Sequence, residues 1–162
     1  MDSQDFTAWA AGVERRLLRS AYLLTGDLHR AEDLVQEAFV KVALRWDRLR
    51  DGNPTAYART ILVRDQISWW RRRRETPVEE IHGGAATSSD PETAMVVRQA
   101  LRRLTPAQRA VVVLRHFDDL SVEETATILR VSPGTVKSQN AAALARLRGG
   151  APELLDLIGR TR

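Results

Sequence analysis

Apolar side chains recur at three- and four-residue spacing through most of this chain, which confines it to helical architectures. Phe6, Trp9, Ala10, Val13, Leu17, Ala21 and Leu24 share one face of a first helix. Thr25-Gly26-Asp27 ends it, with Asp27 placed to cap the next. Ala31, Leu34, Val35, Ala38, Phe39, Val42, Trp46 and Leu49 then form a second stripe, read as one continuous helix. The stretch Arg50-Asp51-Gly52-Asn53-Pro54 breaks the chain. A third helix is predicted from about Thr55 to Arg73, with Ala58, Ile61, Leu62 and Ile67 inward. Period-two alternation is missing over any useful length, so this block is all helix.

Residues 75–90 carry no periodicity and several breakers, among them Thr76-Pro77 and His82-Gly83-Gly84. They read as a linker that could extend to about 50 Å. Charge follows the same division. Residues 1–74 have a net charge of +4, residues 75–92 of −5, and residues 93–162 of +5. Beyond the linker, Thr105-Pro106-Ala107-Gln108 and Ser121-Val122-Glu123-Glu124 are capping boxes, and Ser132-Pro133 opens a last long helix to about Arg148. The tail after Gly150 suggests one more short amphipathic turn. The expected fold is therefore all-α: a small helical bundle over 5–74 and a helix-turn-helix module over 91–150, joined by a flexible acidic linker.

Several chemistries are excluded or disfavoured. The chain has no cysteine, which removes disulfides, zinc fingers, iron–sulfur clusters and thiol nucleophiles. No apolar run approaches the ~18 residues that span a bilayer, and the acidic start, Met1 to Asp5, leads into no signal-like apolar block. A cytoplasmic location is expected. His29, Glu32 and Asp33 fall within one helical turn, but three such ligands without a second donor helix make a poor metal site. Neither catalytic residues nor a cofactor or metal is expected.

Three surfaces carry the functional reading. Ser121 to Leu147 has the pattern of a helix-turn-helix, with Val122, Ala126 and Leu129 inward on the first helix. Val136, Ala143, Leu144 and Leu147 are inward on the second, leaving Thr135, Lys137, Ser138, Gln139, Asn140 and Ala142 to meet a major groove. The run Trp69-Trp70-Arg71-Arg72-Arg73-Arg74 pairs stacking faces, with Tyr57, and phosphate-binding charge. It equally fits a solvated helix C-terminus. Finally, Asp33, Gln36, Glu37, Val40, Lys41 and Leu44 lie on the outer side of the second helix, where a carboxylate-rimmed apolar pair suits protein docking as well as a solvated face.

Ala31-Glu32-Asp33-Leu34-Val35-Gln36-Glu37-Ala38-Phe39 resembles the polymerase-binding helix of sigma factors. Leu104 to Val111 and Ser132-Pro133-Gly134-Thr135-Val136-Lys137-Ser138 resemble their promoter-reading C-terminal domain. The short chain is similar to extracytoplasmic-function sigma factors, and Tyr57 to Arg74 with Lys137-Ser138-Gln139 to their actinobacterial sigma-E-like branch. The resemblance implies a sigma domain 2-like bundle and a sigma domain 4-like helix-turn-helix that direct core RNA polymerase to promoters. Asp33, Gln36, Glu37, Val40 and Leu44 would dock on the β′ clamp. Leu49, Arg50, Asp51, Asn53, Tyr57, Arg64 and Arg71, Arg72, Arg73 and Arg74 would open and hold the −10 element. Ser132, Gly134, Thr135, Lys137, Ser138, Gln139 and Asn140 would read the −35 element, with the β flap as a second polymerase contact. An anti-sigma factor is a further partner that the family admits.

The sequence departs from that pattern at Arg64, where relatives often carry asparagine, and at Gln139 and Ala142, where many carry arginine. With Ala141-Ala142-Ala143 following, fewer backbone contacts and weaker −35 binding are expected. Arg130 occupies a turn that often uses glycine, which predicts a looser turn. Two other readings compete: a stand-alone helix-turn-helix regulator and a helical metalloenzyme built on His29, Glu32 and Asp33. The regulator reading leaves residues 27–74 without a role.

Overall fold

The computed structural model describes residues 3–75 and 91–160, and the chain divides into two compact units, residues 1–84 and 85–162. The expected linker lies outside the described residues except for Glu75.

In the first unit, α1 (Ser3–Thr25) and α2 (Leu28–Ala43) are joined by a corner that the sequence makes local. Gly26 has φ 69° and its N–H reaches Tyr22 carbonyl at 2.8 Å, a left-handed end that costs glycine nothing. Asp27 then accepts from the Arg30 N–H at 3.2 Å and caps α2. Ala31, Leu34, Val35, Ala38 and Val42 of α2 are buried against α1 and against α4 (Pro54–Glu75). Truncating a fully buried leucine such as Leu34 typically costs about 2–5 kcal/mol.

The second helix is not continuous to Leu49. It stops at Ala43, Arg45 leaves helical geometry (φ −124°, ψ 14°), and a single turn, α3 (Trp46–Leu49), follows. The break drops Trp46 beneath α1, with its ring 5.4 Å from both Phe6 and Trp9, while Trp9 meets Phe39 edge-on at 5.6 Å. Trp46 was expected to be inward and is; the break accompanies this aromatic cluster, and no local signal announces it. Phe6, Trp9, Ala10 and Val13 are accordingly only half-buried, whereas Leu17, Ala21 and Leu24 are fully so.

The buried stripe of α4 is Pro54, Ala58, Leu62 and Gln66, with Val63 beside it. Ile61 and Ile67, expected inward, are half-buried. A glutamine takes the last step of a four-residue repeat, where an apolar-pattern reading does not look.

In the second unit, α5 (Pro91–Arg102), α6 (Pro106–Val112), α7 (Val122–Leu129) and α8 (Pro133–Gly150) match the predicted punctuation. Both capping boxes form, with Thr105 and Ser121 each exchanging bonds with the residue three positions on. α6 runs on into a π-helical turn, Val113–Phe117, closed by the Asp118 N–H on Val113 carbonyl at 3.0 Å. Ala126, Val111 and Val136 pack together, flanked by Val122 and Leu129, so a small residue sits where α7 approaches α8. The tail is a full helix rather than one turn: α9 (Pro152–Arg160) packs on α5 and α8 through buried Leu154 and Ile158.

The turn after α7 is tight. Arg130 takes the left-handed conformation (φ 57°, ψ 44°), and the Val131 N–H closes on Ala126 carbonyl at 3.1 Å, a Schellman arrangement. The looser turn expected from a missing glycine is thus corrected: helix-end hydrogen bonds hold the geometry, and the arginine backbone bears the strain. That strain is about 1–2 kcal/mol for a residue with a Cβ, against about 0.5–1 kcal/mol of extra chain entropy for glycine. Arg130→Gly is expected to raise the thermal midpoint of the second unit by a few degrees, measured by circular dichroism; an unchanged or lower midpoint would contradict the strain.

Candidate docking and nucleic-acid surfaces

Because α2 buries one face between α1 and α4, its other face must meet solvent. Asp33, Gln36, Glu37 and Val40 lie there at i, i+3, i+4 and i+7, all exposed, and Leu44 continues the stripe at the helix end. Val40 is 59% and Leu44 78% exposed, an apolar pair with two carboxylates and an amide along the same stripe. Lys41, expected on this face, is tied sideways to Asp65 of α4 at 2.6 Å. Arg30, one turn before Asp33, passes under the helix: its Nε donates to the fully buried Gln66 at 3.2 Å. Burial lowers the Arg30 pKa, with Glu37 and Asp33 acting in the opposite direction. Sequence reasoning missed Arg30, Asp65 and Gln66, since each gains its place from a partner at least 24 residues away.

His29 and Glu32 face solvent with 3.8 Å between them. Among the described residues, no three His, Asp or Glu side chains converge on a point that would suit a metal ion.

The residues assigned to strand contacts are divided by the structure. Asn53 Oδ1 accepts from the Ala56 N–H at 2.9 Å and caps α4, with Pro54 at its first position. Arg50 pairs with Asp5 of α1 at 3.1 Å and stands 3.9 Å from the exposed Asp51. Leu49, Tyr57 and Arg64 are half-buried. Of the arginine run, Arg71 and Arg72 are exposed, while Arg73 lies over the Trp69 ring at 4.4 Å from its centroid. Arg30 contacts the same ring at 5.1 Å, so Trp69 holds two guanidinium groups, a favourable cation–π arrangement. The Arg74 side chain lies outside the described set.

In the second unit Ser132 caps α8 by accepting from the Thr135 N–H at 3.1 Å, and its hydroxyl is 2.9 Å from that of Thr135. Gly134, Lys137 and Ser138 are exposed beside them, and Gln139 is half-buried. Asn140 differs: its Oδ1 lies 2.8 Å from Nε2 of the buried His116. A groove of about 340 Å³ runs along this side of α8, with Arg115, Lys137, Asn140 and Arg148 among its polar lining and Val122 and Leu144 among its apolar lining.

This geometry sits within two matched family models. Residues 9–76 match sigma-70 region 2 and residues 94–147 match sigma-70 region 4. The chain belongs to the extracytoplasmic-function sigma factors. It is 40% identical over 149 residues to the RNA polymerase sigma-E factor of Streptomyces avermitilis, covering 89% of this chain and 83% of that one. It is 34% identical to the ECF RNA polymerase sigma factor SigM of Mycobacterium tuberculosis, covering 82% and 70% respectively. Among solved structures it is similar to the sigma factor RpoE in complex with the anti-sigma factor NepR from Bartonella quintana, with a TM-score of 0.74, 28% identity and coverage of 90% and 96%. As a sigma factor it directs promoter-specific transcription initiation, and its family is not a class of enzymes. No helix among the described residues is long and apolar enough to cross a membrane.

Val40 and Leu44 of this sigma factor contribute little to its own core. Val40→Asp should therefore shift the stability of the first unit by no more than about 0.5 kcal/mol in urea unfolding. A loss of about 2 kcal/mol or more would mean that this face is structural.

Proposed function

We propose that the two units divide the sigma-factor task between separate surfaces. The outer face of α2 docks on core RNA polymerase at the β′ clamp through Asp33, Gln36, Glu37, Val40 and Leu44. What carries this reading is the exposure of an apolar pair on a stripe with acidic and amide groups, on a helix whose other side already supplies the core. α4 and the segment before it, from Leu49 through Tyr57 and Arg64 to the arginine run, hold the opened −10 element. Exposed Arg71 and Arg72 supply phosphate charge, and Trp69 with Arg73 supplies a preorganised cation–aromatic surface. The N-terminal half of α8 reads the −35 element as intact duplex, with Lys137 and Ser138 aimed outward and the helix N-terminus favouring a phosphate.

The energy for strand opening comes from binding, and the chain performs no catalysis of its own. It acts in the cytoplasm, where its template and polymerase are. An anti-sigma factor would compete for the same exposed α2 face.

Glu37→Lys combined with Val40→Asp is expected to abolish co-elution with core RNA polymerase while the circular dichroism spectrum stays that of the wild type; retained co-elution would remove α2 as the docking face. Lys137→Ala should weaken binding to a promoter duplex about five- to tenfold and reduce the slope of log affinity against log salt by about 1, as loss of one phosphate or base-edge cation predicts. An unchanged footprint and slope would contradict α8 as the reading helix.

A further inference from the structure

Asn140 stands four residues after Val136 and three before Ala143, both fully buried, so it shares the core-facing side of α8. Lys137 and Ser138, one and two residues past Val136, are turned outward. The partner of Asn140 is His116, only 7% exposed, at 2.8 Å between Nε2 and Oδ1. His116 comes from the π-helical turn Val113–Phe117, and such turns often mark functional positions. Two further bonds hold the loop that follows: the Leu120 N–H closes on Leu114 carbonyl at 3.0 Å, and Arg115 donates to the Leu120 carbonyl. Reading an adenine edge needs both ends of an asparagine amide, the oxygen accepting from N6 and the nitrogen donating to N7. In Asn140 one end of that amide already faces the buried His116 ring.

We infer that His116 and Asn140 form a latch that sets the roll of α8 about its own axis, and that Asn140 itself reads no base. This rests on the proposal that α8 reads duplex DNA. With side chains, an α-helix has a radius of about 6 Å, so a roll of about 20° carries a surface atom by about 2 Å. A base-edge hydrogen bond does not survive that displacement. Ser132, Thr135 and the cap fix where α8 begins, but they lie on its axis end and resist roll poorly. The hydrophobic contacts of Val136, Ala143 and Leu147 are non-directional. A directional bond from the π turn to the middle of the helix supplies what those contacts lack. His116 is thus a positioning residue for Lys137 and Ser138.

The test uses the full chain and a duplex carrying the upstream element of a promoter mapped by run-off transcription with this protein. Affinities are measured by fluorescence anisotropy for that duplex and for each of its single-base variants. His116→Leu and Asn140→Leu should each weaken binding about tenfold, and the double variant should be no more than about twofold worse than either single one. Preference at the base pairs that Lys137 and Ser138 contact should flatten to the same extent in both single variants, since the whole reading face is displaced. His116→Gln keeps an N–H donor and should bind within about threefold of wild type, which a general loss of packing would not explain. If a leucine variant fails to fold, Asn140→Ser carries the same expectation. Relaxed discrimination at one base pair in an Asn140 variant that His116→Leu leaves unchanged would make Asn140 a reader and overturn the latch. So would losses in the double variant that multiply. Lys137→Ala separates the two claims: unchanged binding there refutes α8 as the reading helix. A normal loss there, with independent His116 and Asn140 effects, overturns the latch alone.

Discussion

The first unit depends on the burial of a single stripe of α2 between two helices. Ala31, Leu34, Val35, Ala38 and Val42 are each almost wholly removed from water, and α1 and α4 both pack on them. The two alanines allow close approach, and the leucine and valines supply the apolar area. Once that stripe is spent on the core, Asp33, Gln36, Glu37, Val40 and Leu44 have nowhere to go but outward. The proposed docking surface is therefore a geometric consequence of the core rather than a separate construction. That is also why it can be acidic and apolar at once: none of its members belongs to the buried core.

Polar ties between helices add direction to this packing. Arg30 reaches Gln66, Lys41 reaches Asp65, Trp9 donates to Thr55 at 3.1 Å, and Arg50 pairs with Asp5. The exposed pairs among them contribute little net stability, roughly 0–1 kcal/mol each. Their effect is on register. Arg30–Gln66 and Lys41–Asp65 link α2, proposed to face the polymerase, to α4, proposed to face the opened strand, so the two surfaces hold a fixed relation within one unit. Gln66 illustrates the cost of such a tie: its buried Nε2 has no hydrogen-bond partner among the described residues while its oxygen serves Arg30. A buried polar group left in that state is destabilising by about 1–3 kcal/mol.

The second unit is assembled differently, from short helices whose ends are set by their own residues. Thr105, Ser121 and Ser132 each satisfy an N-terminal N–H, worth typically about 1 kcal/mol apiece. Arg109 and Arg103 reach the carbonyls of Leu101 and Gly150, at 3.0 and 2.7 Å. Helices of seven and eight residues are too short to persist alone. Caps define where they start and stop, and the cluster around Ala126 and Val136 holds them together.

Most of the architecture was legible in the chain because it depends on neighbours. Apolar spacing, capping boxes, Gly26-Asp27 and Asn53-Pro54 act over four residues or fewer, so the helices, their order and the division into two units follow from local chemistry. The outward stripe of α2 and the exposed start of α8 were legible for the same reason, since a helix has only one face to bury. Four features were decided by tertiary structure: the break before Trp46, the buried Gln66, the stack of Arg30 and Arg73 on Trp69, and the engagement of Asn140 by His116. Most of these contacts join residues 24 or more positions apart, and the side chains involved could equally have faced water. Only the packed fold brings the partners within reach, and a polar residue acquires its role from the partner it meets.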